Sequence, residues 1–315
     1  MLLSAFAVLV GLILLIWSAD RFVDGASTTA HHLGMSPMLI GLTIIAFGTS
    51  APEILVSAVA SFNQAPGLAI GNALGSNIAN IALVLGATAL IAPLPIRGSL
   101  IRTELPILTV AALATGVLLW DRYLGVMDGL ILLCGLVVSL YLFKRYQDHH
   151  KNRPTQDIPD MTLVQGIMWL VIGLIILASG SQILVWGATD IAISLGVSDL
   201  IIGLTIVAFG TSLPELAASI ASALKGHHAM AIGNIIGSNI FNLLAVMALP
   251  GLIWPASITD GALWRDYGLM LALTLVLFGI SFRARRGGTI NRLVGLILLL
   301  VYISYMLILY YSAQV

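Results

Sequence analysis

The sequence predicts an all-α membrane protein, ten transmembrane helices arranged as two inverted five-helix repeats. Three observations carry that expectation. Of 315 residues, 59% are hydrophobic and only 9% are charged, where a soluble domain carries about 25% charged residues. Ten apolar stretches reach the roughly 20 residues that a helix needs to cross about 30 Å of hydrocarbon. Residues 41 to 80 also align without a gap to residues 203 to 242, at a constant offset of 162, and 21 of the 40 aligned positions are identical.

The stretches run near 2–23, 38–61, 67–91, 103–120 and 124–143, then near 163–186, 200–223, 229–253, 264–282 and 293–311. Residues 2 to 19 resemble the core of a secretory signal, but no Lys or Arg precedes them, so they read as the first span. The repeat divides the chain into an N-terminal half, 1–143, a polar linker, 144–162, and a C-terminal half, 163–315. Five spans per half is an odd number, so the second half enters the membrane in the opposite sense to the first. Basic residues test this independently. With the first residue outside, 12 of the 14 Lys and Arg residues fall on the cytoplasmic side, leaving Arg122 and Arg265 outside. Both termini are then exterior, and the linker is cytoplasmic. Lys+Arg and Asp+Glu balance at 14 each, which leaves no basic excess for binding nucleic acid.

Twelve of the acidic residues, Glu104 and Asp266 among them, are expected at span ends or in loops; Glu53 and Glu215 alone are expected deep. A charge at a helix centre costs roughly 3 kcal/mol on insertion scales, so such residues face a bundle interior or a water cavity and mark ion pathways. The competing reading is a protonated Glu bonded to a neighbouring helix. Around each Glu the helix should break, at Gly48-Thr49-Ser50-Ala51-Pro52-Glu53 and at Gly210-Thr211-Ser212-Leu213-Pro214-Glu215. Proline lacks an amide hydrogen but suits the first turn of a new half-helix, and carbonyls left over are tolerated only where they line a cavity or meet a partner such as a cation. A simple proline kink is the alternative. Thr49 and Ser50 lie four and three residues before Glu53, so they would share its face as far as the helix persists.

The next span supplies Gly71-Asn72-Ala73-Leu74-Gly75-Ser76-Asn77-Ile78-Ala79-Asn80, matched by Gly233 to Asn242. Ser76 and Asn80, like Ser238 and Asn242, are four residues apart and project from one face. Hydroxyl and amide oxygens suit hard cations, and with two carboxylates they approach the six to eight oxygens that calcium takes; for each residue alone, interhelical hydrogen bonding is the blander reading. Gly71, Gly75, Gly233 and Gly237 read as close-packing faces. The pairs His31-His32, His149-His150 and His227-His228 read as solvated loop residues, Arg21 with Asp20 and Asp24 as an interfacial ion cluster, and Cys134 as a lone thiol in an apolar run.

The two blocks, GLTIIAFGTSAPE with GNALGSNIAN and GLTIVAFGTSLPE with GNIIGSNIFN, resemble the paired alpha-repeats of the cation/calcium exchanger superfamily, most closely its bacterial calcium/sodium antiporters. The blocks cover about a quarter of the chain, and the ten-span arrangement extends the likeness to nearly all of it. The resemblance implies a transporter rather than an enzyme, exchanging sodium for calcium by alternating access in a bacterial inner membrane, with calcium and sodium as transported ions, no cofactor and no obligate protein partner. It implies that Glu53 and Glu215 bind the ions, assisted by Thr49, Ser50, Ser76 and Asn80, by Thr211, Ser212 and Ser238, and by the backbone carbonyls of Ala46 and Ala208. Asn242 completes the set by its repeat position, although some relatives carry aspartate there or at Asn80. Two glutamates give a central charge near −2, which suits one calcium or two sodium ions. A proton-coupled calcium exchanger is the runner-up. A cation channel and an intramembrane hydrolase using both glutamates are rivals from other classes.

Overall fold

The computed structural model describes residues 1–96, 100–147, 160–197, 206, 208–283 and 288–312. Outside these fall most of the linker (148–159), the start of the seventh expected span (200–205 and 207), Arg97, Lys151, Arg153, Arg285, Arg286 and the pair His149-His150.

The chain is helical throughout: α1 Leu2–His32, α2 Pro37–Thr49, α3 Ala51–Phe62, α4 Pro66–Ile91, α5 Leu100–Leu118, α6 Val126–Gln147, α7 Leu163–Ser194, α8 Ala208–Thr211, α9 Leu213–Leu224, α10 His228–Ile253, α11 Gly261–Arg283 and α12 Arg292–Ser312. Among the described residues, eight helices are long and apolar enough to cross a membrane, and α2 with α3, bent by 43° at Ser50, makes a ninth. The seventh expected span appears as α8 and the short apolar α9.

Helix boundaries repeat at the same offset as the residues. Helix α3 maps onto α9 and α4 onto α10 with both ends in register. The chain leaves α1 through Gly34 at φ +66° and α7 through Gly196 at φ +79°; these are left-handed turns that glycine adopts without strain. Two-residue strands make an exchange between the halves: β1 (Leu94–Pro95) pairs with β4 (Thr289–Ile290), and β2 (Tyr123–Leu124) pairs with β3 (Ala256–Ser257).

Helices α1 and α7 lie antiparallel along their whole length. A Cβ added at Gly11 would meet the Gly180 carbonyl at 2.8 Å, one at Gly173 the Phe22 backbone at 2.8 Å, and one at Gly187 the Ser4 carbonyl at 2.6 Å. In lipid, where apolar helices gain little from avoiding water, such small-residue contact is what holds helices together. This pair corrects the expected first span of 2–23 and sixth of 163–186, since both helices run some nine residues further. No proline interrupts residues 24–32, and the aspartates of this part of the helix are paired: Lys225 Nζ reaches Asp20 Oδ1 at 2.7 Å and Asp24 Oδ1 at 2.6 Å. The expected Arg21 cluster is therefore replaced by a Lys225 cluster, while Arg21 lies over the Trp169 ring, 5.4 Å from its centroid.

The main core surrounds α4 and α10, which are the most buried of the candidate spans. Two of the acidic residues assigned to span ends or loops are buried in it. Glu104 and Asp266, repeat equivalents, are 4% and 7% exposed. Asp266 is neutralised by its neighbour Arg265, Nε to Oδ1 at 2.6 Å, and accepts from the Tyr305 hydroxyl at 3.0 Å; this local pairing is why a buried carboxylate is tolerated near a helix start.

Candidate cation site

Helix α2 ends where Pro52 interrupts the hydrogen-bond ladder, and α3 starts a new half-helix with Glu53 in its first turn. The same residues start α9, with Glu215 in its first turn. A carboxylate at a helix N-terminus faces unpaired amides and the positive end of the dipole, which favours its ionised form. Both Glu53 and Glu215 are 1% exposed, and they are close enough for their charges to repel. Two buried carboxylates without a compensating positive charge are costly. Neither has a basic partner among the described residues.

The halves interlock at this point. Ser50 Oγ donates to Glu215 Oε1 at 3.1 Å. Thr49 Oγ1 donates to Asn234 Oδ1 at 3.2 Å and lies 3.5 Å from Ser238 Oγ. The hydroxyls were expected to share a face with Glu53; the 43° bend at Ser50 instead turns them across to groups of the second half. The Ala46 carbonyl accepts the Ser50 amide at 3.0 Å. Helix α4 runs on unbroken beside the site, but its ladder widens to π-helical turns over Ala79–Leu85, as α10 does over Asn242–Val246. Such turns are frequent at functional sites because they re-aim side chains and loosen carbonyls. They begin at or beside Asn80 and Asn242.

Ser76, Asn80, Ser212, Ser238 and Asn242 are all at most 5% exposed. Both side-chain polar atoms of Asn80 and of Asn242, both carboxylate oxygens of Glu53, Glu215 Oε2 and Ser212 Oγ are buried without a hydrogen-bond partner among the described residues. Native interiors rarely tolerate such groups, and an oxygen-seeking cation would satisfy the oxygens among them. Thr211 is half-buried, and Ala208 opens α8.

Two further polar residues hold the site together and carry no role in the sequence reading. Asn72 Nδ2 donates to the Glu53 carbonyl at 3.0 Å, and Asn234 Nδ2 donates to the Glu215 carbonyl at 3.3 Å. Their identity in both blocks was the available signal. The histidines are not uniformly solvated: His31 and His32 are exposed, whereas His227 is 2% exposed beneath Lys225.

Comparison with known proteins gives the family. The family profile of sodium/calcium exchanger proteins matches residues 3–145 and 165–311. CaxA of Alkalimonas amylolytica, provisionally named an antiporter, is 48% identical over 99% of this chain and 100% of its own. The sodium/calcium exchanger MaX1 of Methanosarcina acetivorans is 32% identical over 96% of this chain and 97% of its own. The solved structure of the sodium-calcium exchanger NCX_Mj soaked without Na⁺ and Ca²⁺ superposes with a TM-score of 0.85 at 34% identity, covering 96% of this chain and 98% of that one. The chain therefore belongs to the sodium/calcium exchanger family, within the cation/calcium exchanger superfamily, and is a multi-pass integral membrane protein built for cation/calcium antiport.

Proposed function

We propose that the protein exchanges sodium for calcium by alternating access, loading one oxygen-lined site from either side in turn. The observation that carries this reading is a pair of buried carboxylates, one from each half and close enough to interact, together with buried oxygens that have no partner among the described residues. Ser50 of the first half bonding Glu215 of the second makes it one site rather than two. The ligand set is Glu53, Glu215, Thr49, Thr211, Ser50, Ser212, Ser76, Ser238, Asn80 and Asn242, with the carbonyls of Ala46 and Ala208. Calcium takes six to eight oxygens, so only part of the set engages it at once, and sodium occupies the same oxygen-lined site in its turn.

The architecture that serves this function is two five-helix halves, 1–143 and 163–315, inverted about an axis in the membrane plane. Ten crossings, a cytoplasmic linker at 144–162 and both termini outside complete it. The antiparallel α1–α7 pair and the exchanged strands support this arrangement. What NCX_Mj and MaX1 lend to this reading is sodium/calcium exchange, the activity in their names. One relative, YrbG of Escherichia coli, is named an inner membrane protein, and we assign the same membrane here.

Calcium-45 uptake into proteoliposomes tests the coupling. An outward sodium gradient should drive uptake, and Glu53→Gln or Glu215→Gln should reduce it to background, because each removes half the charge that balances the ion. Uptake by the native protein that follows a proton gradient and ignores sodium would replace this reading with proton-coupled exchange.

A further inference from the structure

Asn234 is fully buried and makes contacts to three different residues through one amide. Its Nδ2 donates to the Glu215 carbonyl at 3.3 Å and to Ser219 Oγ at 2.9 Å, while its Oδ1 accepts from Thr49 Oγ1 at 3.2 Å. The donor count leaves one orientation. An amide has two hydrogens on nitrogen and none on oxygen, so turning it over would set Oδ1 against the Glu215 carbonyl, acceptor against acceptor. Thr49 has a single hydroxyl proton. Its other neighbours are the Ala46 carbonyl and Ser238 Oγ, each farther away at 3.5 Å, and the Glu215 carboxylate, a second acceptor with which Asn234 competes for the proton.

We propose that Asn234 is a positioning residue for ion binding: anchored by its nitrogen to the turn that carries Glu215, it draws the Thr49 proton outward and leaves the hydroxyl lone pairs for the cation. This rests on the ion-site reading above. A hydroxyl whose proton points at a cation repels it, whereas one whose proton is held elsewhere is a ligand. Asn234 thereby couples the two halves, since the ligand it aims belongs to α2 and its anchor belongs to α9. Helix α4 provides a comparison: Asn72 buttresses the Glu53 carbonyl in the same manner.

The experiment is calcium titration of the purified full-length protein by calorimetry, with melting temperature recorded in the absence of ions. Asn234→Ala should weaken calcium binding about tenfold, the worth of one well-placed hydrogen bond to a ligand. Thr49→Ala should weaken it by a similar factor. The double variant should be no more than about twofold weaker than either single one, because both changes remove the same oriented ligand. If the two losses multiply, or if folded Asn234→Ala binds calcium like the native protein, the proposal is wrong. Asn234→Asp covers the case in which the alanine variant does not fold. It keeps an acceptor toward Thr49, so Thr49→Ala should still cost its full factor in that background, and loss of that cost there would also overturn the proposal. Failure of the ion-site reading looks different, because then the native protein itself shows no calcium binding.

Discussion

Helices α4 and α10 carry nearly the same ten residues, Gly71 to Asn80 and Gly233 to Asn242, yet their glycine faces meet different surroundings. On α10 the face is sealed. A Cβ on Gly233 would meet the Met38 carbonyl at 2.6 Å, and one on Gly237 would meet the Leu42 carbonyl at 2.5 Å and Ala46 Cβ at 2.6 Å. On α4, Gly71 is exposed and Gly75 half-buried, and among the described residues nothing lies within 4 Å of a Cβ at either. Identical sequence thus gives both helices a face that can accept a close backbone, and the partner helix decides whether that face is used. The repeat counterpart of the α2 backbone that seals α10, residues 200–204, lies outside the described residues. In the proposed mechanism each glycine face is closed in one half of the cycle and exposed in the other.

The largest effect should come from filling the two faces with a methyl group. Gly237→Ala forces backbone apart at the Leu42 carbonyl, and overpacking of this kind costs about 1–3 kcal/mol. It should lower the melting temperature by several degrees and cut exchange at least tenfold. Gly75→Ala should lower the melting temperature less, because Gly75 is half-buried whereas Gly237 is buried. If exchange also survives Gly75→Ala at the native rate, then α4 never closes as α10 does, and the idea that the faces alternate is broken.

A smaller effect belongs to the clamp on the sealed side. Lys225, which caps α9, holds Asp20 and Asp24 of α1. The repeat equivalents of these residues are Asn63, Gln182 and Trp186, so the α1–α9 clamp has no ionic counterpart between α3 and α7 and is a source of asymmetry. Lys225 and Asp24 are 24% and 15% exposed, whereas Asp20 is half exposed, which places the contribution near the upper end of the surface range, about 1 kcal/mol. Lys225→Ala should make a cysteine at position 28 label several-fold faster with a water-soluble maleimide. The pair Asp24→Lys with Lys225→Asp should restore slow labelling of that cysteine. Unchanged labelling in Lys225→Ala would show that packing of α1 on α9, without the ion pairs, seals this side.

Much of this was legible in the sequence. The offset of 162 located the blocks, and the same offset governs the boundaries of α3 and α9 and of α4 and α10. Glu53, Glu215 and their polar company could be named because lipid tolerates such groups only for cause. What could not be read is set by contacts distant in the chain. Helix α1 outruns its apolar stretch because Lys225, some 200 residues later, satisfies its aspartates. Glu104 and Asp266 stand beside charged or polar neighbours that suggest a span end, and only the fold shows them buried. Thr49 and Ser50 look like companions of Glu53 along one helix, but the bend at Ser50 sends them to the other half. Asn234 has no distinguishing local pattern, since its meaning lies in the simultaneous reach to Thr49, Glu215 and Ser219.

The smallest predicted effect is a pH dependence on the sealed side. His227 precedes α10 and is buried beside Lys225, Asp24 and His228. Burial is the largest influence and pushes its pKa below the ordinary 6.5; Lys225 and His228 act in the same direction, and Asp24 opposes them. The sealed form therefore holds the imidazole neutral at a pH where a hydrated imidazole takes a proton. Above about 6.5 both forms are neutral and the seal is at full strength; as pH falls below that value, protonation favours the form in which His227 is hydrated, and the seal weakens. Labelling of the cysteine at position 28 should accelerate modestly between pH 7 and pH 5.5 in the native background, and His227→Gln should flatten that dependence without altering the rate at pH 7.5. The carboxylates of Asp20 and Asp24 also face Lys225, so a slope that persists in His227→Gln would move the sensor from the imidazole to the clamp itself.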